Sequence, residues 1–282
     1  MALPDFLIIG AMKCATSTLQ RQLALQDGVF MTTPKEPNYF SDDGVFARGQ
    51  GWYEGLFAAA GPDDIKGEAS THYTKLPTHP ATLARMQALL SHPPRLIYMI
   101  RNPLARAVSH YIHEWSQGVM SADPAEAFRA HPELVDYGRY GMQIAPYVRA
   151  YGADRVLLTS LEQLKADPDA EFSRIARFLG LSGRAAWVHD LPAQNISAER
   201  MRRLPMQGLL IDNPVARALR RTLVPKAVRR WVREARTMKA RPEIPADIQD
   251  RMKARFLEDR TQLAELFPGH PALDLCYPFA RS

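Results

Sequence analysis

The chain has 282 residues, 46% of them hydrophobic and 23% charged, with a formal net charge of +6. That length and apolar share exclude general disorder and suffice for one large α/β domain, or one domain with a helical appendage. Two cysteines, Cys14 and Cys276, exclude a disulfide framework and a cysteine-rich metal cluster. With no run of about 18 apolar residues and no basic, cleavable leader, the expectation is a cytoplasmic protein with no membrane span.

The first predicted strand is Phe6 to Ile9, four apolar residues suited to a parallel strand buried on both faces. It breaks at Gly10 and runs into Lys13, Cys14, Ala15, Thr16, Ser17 and Thr18. The hydroxyl cluster is expected to cap a helix carrying Leu19 and Leu23 at i, i+4. Free backbone N–H groups at that helix start, with the charge of Lys13, make an anion site. The loop lacks GxxxxGK[ST], because Lys13 precedes the turn and no glycine follows Gly10 within it, so ATP is not the default ligand. Cys14 reads as a small packing residue in place of glycine in preference to a reactive thiol.

Further strands are expected at Val29 to Thr32, Ile65 to Glu68, Leu96 to Ile100 and Val156 to Thr159. Helical patterns at Leu83 to Leu90, Pro103 to Trp115, Ile144 to Tyr151 and Phe172 to Leu179 lie among them, the last stopped by Gly180. The alternation predicts a P-loop-like three-layer α/β/α fold with a central parallel sheet of about five strands. From about Leu181 the chain reads as helical and loop-rich, with a final amphipathic helix at Arg251 to Leu266. The whole is expected to be a single domain over 1–282, with a core at 1–181 and a helical, basic part at 182–282.

The second chemical constellation is Arg95 to Trp115. Its strand ends at Arg101, Asn102 is placed to cap the next helix, and Pro103 takes the first helical position, where a missing N–H costs nothing. Leu104, Val108, Tyr111, Ile112 and Trp115 form one apolar stripe. Ser109 falls off it, on the row of Arg101 and Ala105, so a guanidinium and a hydroxyl can converge on one oxyanion. A phosphoryl transferase of the P-loop type wants a Mg²⁺ carboxylate after its second strand, and here that position is Arg101. The residues therefore nominate no metal ligand. A sulfuryl group, carrying less negative charge than a phosphoryl, suits a site of lysine and N–H groups.

Charge is concentrated at residues 200–241, where thirteen Lys and Arg face two acids. A basic surface admits nucleic acid, but no zinc-finger spacing, RNP-type motif or basic zipper is present, and an acidic small substrate or nucleotide fits equally well.

MKCATSTL (Met12 to Leu19) resembles the 5′-phosphosulfate loop, and RNPLARAVSHY (Arg101 to Tyr111) the 3′-phosphate motif, of sulfotransferases that use 3′-phosphoadenylyl sulfate (PAPS). The likeness is strongest to the carbohydrate and heparan-sulfate branch and its bacterial relatives. It takes in PKEPNYF (Pro34 to Phe40), GEAS (Gly67 to Ser70) and GRYGMQIAPYV (Gly138 to Val148), and ends near Leu181. The resemblance implies that Lys13 contacts the bridging and sulfuryl oxygens, that Cys14, Ala15, Thr16, Ser17 and Thr18 surround the 5′-phosphate, and that Arg101 and Ser109 hold the 3′-phosphate. MKARPEIP (Met238 to Pro245) is similar to the late cofactor loop of the family and nominates Lys239, Ala240 and Arg241, with Ala240 replacing a glycine.

The resemblance makes Glu36 the catalytic base. Pro34 and Pro37 bracket it and are expected to hold Lys35 and Glu36 extended. Heparan-type enzymes carry a lysine where this chain has Ala69. His72 or Lys75 is available to fill that space, and His72 is an alternative base. The implied partners are PAPS, leaving as 3′,5′-adenosine diphosphate (PAP), and an unidentified sugar, lipid or small-molecule acceptor with a hydroxyl or, less favoured, an amine; nucleic acid is not among them. A non-catalytic nucleotide- or nucleic-acid-binding protein using the 200–241 face, and a divergent P-loop kinase, stay open as alternatives.

Overall fold

A computed structural model describes residues 3–181, 183, 185–191, 238 and 240–280. Five strands form one wholly parallel sheet in the order β2-β3-β1-β4-β5: β1 Phe6–Gly10, β2 Val29–Met31, β3 Ile65–Ala69, β4 Arg95–Ile100 and β5 Val156–Ser160. All five expected strands are present, and β1 and β4 are almost wholly buried, as their unbroken apolar runs require. The chain builds β2 and β3 on one side of β1, then crosses to build β4 and β5 on the other. The carboxyl end of β1 therefore opens between loops that diverge, which is where open α/β sheets bind ligands.

The principal helices are α1 Thr16–Ala24, α2 Thr82–Leu89, α3 Pro103–Gln117, α4 Tyr140–Tyr151, α5 Leu161–Ala166, α6 Pro168–Leu179 and α7 Ala246–Leu266. Asn102 caps α3 as expected, its side chain accepting from the N–H of Ala105 at 3.0 Å, with Pro103 in the first turn. The stripe on α3 is buried at Val108, Tyr111, Ile112 and Trp115. Gly180, left-handed at φ 84°, ends α6.

The expected cap of α1 is corrected. No Thr or Ser side chain caps it; the chain enters through Ala15, left-handed at φ 65°. That turn is made by backbone alone, which leaves the hydroxyls of Thr16, Ser17 and Thr18 uncommitted to capping.

The late helix α7 packs along α4. Asp259, 3% exposed, accepts from the N–H groups of Gly141 and Met142 at 2.8 Å each and so caps α4 from outside. The approach is close: a Cβ on Gly141 would lie 2.6 Å from the Asp259 carbonyl oxygen. Among the described residues, no helix is long and apolar enough to cross a membrane.

Candidate active site

The loop after β1 is shaped by one contact that needs a glycine. The Thr74 hydroxyl donates to the Ile9 carbonyl at 2.8 Å, so a Cβ on Gly10 would lie 2.0 Å from that hydroxyl oxygen and 3.0 Å from the Tyr98 ring. The Ala11 N–H then reaches the Met99 carbonyl at 2.7 Å, tying the loop to β4. Lys13 and Ala15 follow with φ of 68° and 65°. Two left-handed residues in three curl the backbone, and non-glycine residues held there carry strain of the kind that collects at ligand sites. Thr16 and Ser17, the first two helical positions, have N–H groups with no intrahelical acceptor, as every helix start must.

Arg101, at the carboxyl end of β4, faces this loop. Its Nη1 donates to the Lys13 carbonyl at 3.3 Å, and its Nε is buried with no hydrogen-bond partner. A buried guanidinium N–H left unmade is expensive, and an oxyanion would satisfy it. Arg241 joins the same row, its Nη2 donating to the Ala105 carbonyl at 3.2 Å, one helical turn beyond Arg101. Burial and then the neighbouring Arg101 lower the pKa of Arg241, so the two guanidinium groups stand close enough to repel each other. Ser109 continues the row one turn further and is buried. Lys239 lies outside the described residues, as does nearly all of the basic 200–241 segment; Ala240 is described and exposed.

Tyr140 binds these parts together, and the sequence did not nominate it. Its hydroxyl donates to the Arg101 carbonyl at 2.9 Å, accepts from the Arg101 N–H at 3.4 Å and lies 3.6 Å from the Cys14 Sγ. Its partners lie 39 and 126 positions away in the chain, so only tertiary structure shows the link. Cys14 is fully buried, and burial pushes its thiol up to about 11, which supports the packing reading over a reactive thiol.

Glu36 lies on the loop after β2, across the mouth of the β1 crevice. The Thr71 N–H donates to one of its carboxylate oxygens at 2.7 Å, the Thr71 hydroxyl lies 3.2 Å from both oxygens, and Lys35 pairs with the other oxygen. The expected extended backbone is corrected: Glu36 is left-handed at φ 62°, and Asn38 at φ 56°. The cause is pairing with β3 beyond the end of β2. Thr32 N–H donates to the Gly67 carbonyl at 3.0 Å, Glu36 N–H to the Ala69 carbonyl at 3.0 Å, and Asn38 N–H to the Ser70 hydroxyl at 3.0 Å. These bonds turn the chain so that the Glu36 carboxylate falls back on the turn Thr71–Thr74.

Beneath it, Glu68 is fully buried and accepts from the hydroxyls of Ser70 at 2.5 Å, Tyr73 at 2.7 Å and Tyr53. Burial pushes its carboxyl pKa up. Tyr53 is thereby a core residue stacked on Tyr39, and Trp115 is also buried. Trp52 lies against the guanidinium of Arg48, 4.0 Å from its ring centre.

His72 stacks on His79 with ring centres 4.9 Å apart. Burial first, and then the nearby Lys75 and His79, pull its pKa down to about 4, and its Nδ1 is enclosed without a partner. A histidine so placed takes up a proton less readily than an ordinary one. Among the described residues, no three His, Cys, Asp or Glu side chains come together to hold a metal ion.

The family described as "Sulfotransferase domain" matches residues 3–253. Heparan sulfate glucosamine 3-O-sulfotransferase 6 of Mus musculus is 31% identical over 186 residues, 63% of this chain and 52% of that protein. The bifunctional heparan sulfate N-deacetylase/N-sulfotransferase 2 of Bos taurus is 23% identical over 201 residues, 64% of this chain and 22% of that protein. The chain thus spans about half the length, or less, of the curated relatives it matches. A solved sulfotransferase from Alicyclobacillus acidocaldarius shares the fold at a TM-score of 0.65 and 22% identity, covering 94% of this chain and 96% of that one. By the match over residues 3–253, this chain belongs to the sulfotransferase-domain family.

Proposed function

We propose that the protein transfers the sulfuryl group of PAPS to an acceptor hydroxyl, with PAP as the second product. The observation that carries this reading is the row Arg101, Ala105 and Ser109, joined by Arg241 and facing the Lys13 loop, with the Arg101 Nε buried and unpaired. Two phosphates are called for. The curled loop and the start of α1 suit one, as the 5′-phosphosulfate, and the arginine row suits the other, as the 3′-phosphate that ATP lacks.

The residues divide the work accordingly. Lys13 and the N–H groups at the start of α1 offset the charge that builds on the departing phosphate as its bond to sulfur breaks. Glu36 takes the acceptor proton as the acceptor oxygen bonds to sulfur. Held through Thr71 and Lys35, the carboxylate keeps one position, which in-line transfer requires. Glu36 suits this role better than His72, whose ring is stacked on His79 and whose Nδ1 is enclosed.

The relatives' names point to carbohydrate acceptors, and we extend that to this chain only as a class: a sugar, a sugar-bearing lipid or a related small hydroxyl compound. Incubation with radiolabelled PAPS and a panel of such acceptors tests the reading. Label should pass to an acceptor with stoichiometric formation of PAP. Transfer from labelled ATP in place of PAPS would overturn it.

A further inference from the structure

Arg101 stands one residue past the end of the β4–β5 ladder, which closes with Ile100 opposite Ser160, so the sheet no longer holds its main chain. One hydroxyl takes over. Tyr140 donates to the Arg101 carbonyl at 2.9 Å and accepts from the Arg101 N–H at 3.4 Å, and the same oxygen lies 3.6 Å from the Cys14 Sγ in the Lys13 loop. Tyr140 is fully buried, its ring edge-to-face on Tyr98 with 6.1 Å between centres, so it acts behind the site and not on a ligand. A residue placed there sets where the Arg101 side chain starts from, and with it the spacing of the two candidate anion sites.

Tyr140 is in turn the first residue of α4, and the N–H groups of a helix start need acceptors from outside the helix. Arg139, just before it, supplies no side-chain cap. The acceptor comes instead from α7: one carboxylate oxygen of Asp259 takes the Gly141 N–H and the other the Met142 N–H, each at 2.8 Å. A carboxylate at a helix N-terminus is favourable, yet Asp259 is 3% exposed, and burial pushes its pKa up to about 6 against the lowering effect of those two bonds and of Arg139. An apolar contact between the two helices would avoid that desolvation. What the carboxylate delivers is a fixed first turn of α4, and Tyr140 lies in that turn.

We propose that Asp259, through the first turn of α4 and the Tyr140 hydroxyl, is a positioning residue for Arg101 and thereby for recognition of the cofactor's 3′-phosphate. The inference rests on the sulfotransferase reading above. It makes α7 part of the frame of the cofactor site, although Asp259 itself touches no ligand. The neighbouring Asn102 is tied from the other side, its N–H donating to Glu162 of α5 at 2.9 Å. Loss of the Asp259 link therefore loosens Arg101 and leaves the start of α3 in place.

The test measures PAP and ADP affinities by calorimetry, without Mg²⁺, for the wild type, Asp259→Asn, Tyr140→Phe and the double variant. Asparagine keeps the shape of the carboxylate and one acceptor but turns an amide NH2 towards the other N–H; phenylalanine keeps the ring and loses the hydroxyl. Each single variant should lower the PAP-to-ADP affinity ratio by about threefold to tenfold, the range of one hydrogen bond, by weakening PAP more than ADP. The double variant should fall no further than Tyr140→Phe alone, because Asp259 acts through Tyr140. A merely structural role would lower the melting temperature and leave the ratio at its wild-type value. Gly141→Ala reaches the same link from α4, since its Cβ would lie 2.6 Å from the Asp259 carbonyl oxygen, and should lower the ratio alike. A wild-type ratio in Asp259→Asn or in Gly141→Ala overturns the proposal, and so do additive losses in the double variant. A wild type that does not prefer PAP to ADP would instead break the sulfotransferase reading, and this proposal with it.

Discussion

The Thr71 N–H donates to a carboxylate oxygen of Glu36 at 2.7 Å, although the two residues stand 35 positions apart on loops after different strands. That bond holds the candidate base over the crevice at the end of β1. Glu36→Gln keeps an acceptor for the Thr71 N–H and loses the ability to take a proton. Sulfuryl transfer should fall by about 10²- to 10⁴-fold, the usual contribution of a general base, with PAP binding unchanged in calorimetry. Retained turnover in this variant would remove Glu36 from the role.

Arg241 is exposed and donates to the Ala105 carbonyl, so its removal should not disturb the core. Arg241→Ala is expected to weaken PAP binding by about tenfold, as loss of a charge-assisted phosphate contact does, with a melting temperature equal to wild type. Weaker folding with unaltered PAP affinity would reverse the assignment.

At Gly10 the lack of a side chain is required by Thr74 and the Tyr98 ring. Gly10→Ala forces the Thr74 hydroxyl off the Ile9 carbonyl or shifts the loop. Destabilisation of about 1–3 kcal/mol in urea unfolding is expected, together with weakened PAP binding. Wild-type stability would show that the loop yields freely.

His110 is 3% exposed on α3, and burial pulls its pKa down to about 4 from an ordinary 6.5. Glu114 opposes that shift and Arg106 adds to it. Between those two values the unfolded chain binds the proton and the folded chain does not, so stability rises with pH across the window and is lost as pH falls from 6.5 towards 4. His110→Gln removes the titration. The stability difference between wild type and variant should therefore change by on the order of 2–3 kcal/mol between pH 7 and pH 4, in the sense of wild type losing more on acidification. A constant difference across that range would show that His110 does not carry the effect.

The strands and the main helices were legible because each is a local pattern. Phe6 to Ile9 and Leu96 to Ile100 are apolar without interruption, and Asn102 with Pro103 announces the start of α3. What escaped is what depends on backbone hand or on distant partners. A threonine-serine cluster reads as a cap, yet Ala15 turns left-handed and does the entry itself; paired prolines read as extended chain, yet hydrogen bonds to β3 turn Glu36. Tyr140 has no local signature, since it bridges Cys14 and Arg101, which stand 126 and 39 positions away.

The cosubstrate assignment is tested most directly, and without knowing the acceptor, by calorimetric titration of the wild type and Arg101→Ala with PAP and with ADP in the absence of Mg²⁺. The wild type should bind PAP at least about tenfold more tightly than ADP, the value of a well-placed guanidinium on a phosphate, and Arg101→Ala should erase the difference. Equal binding of PAP and ADP by the wild type would contradict the account.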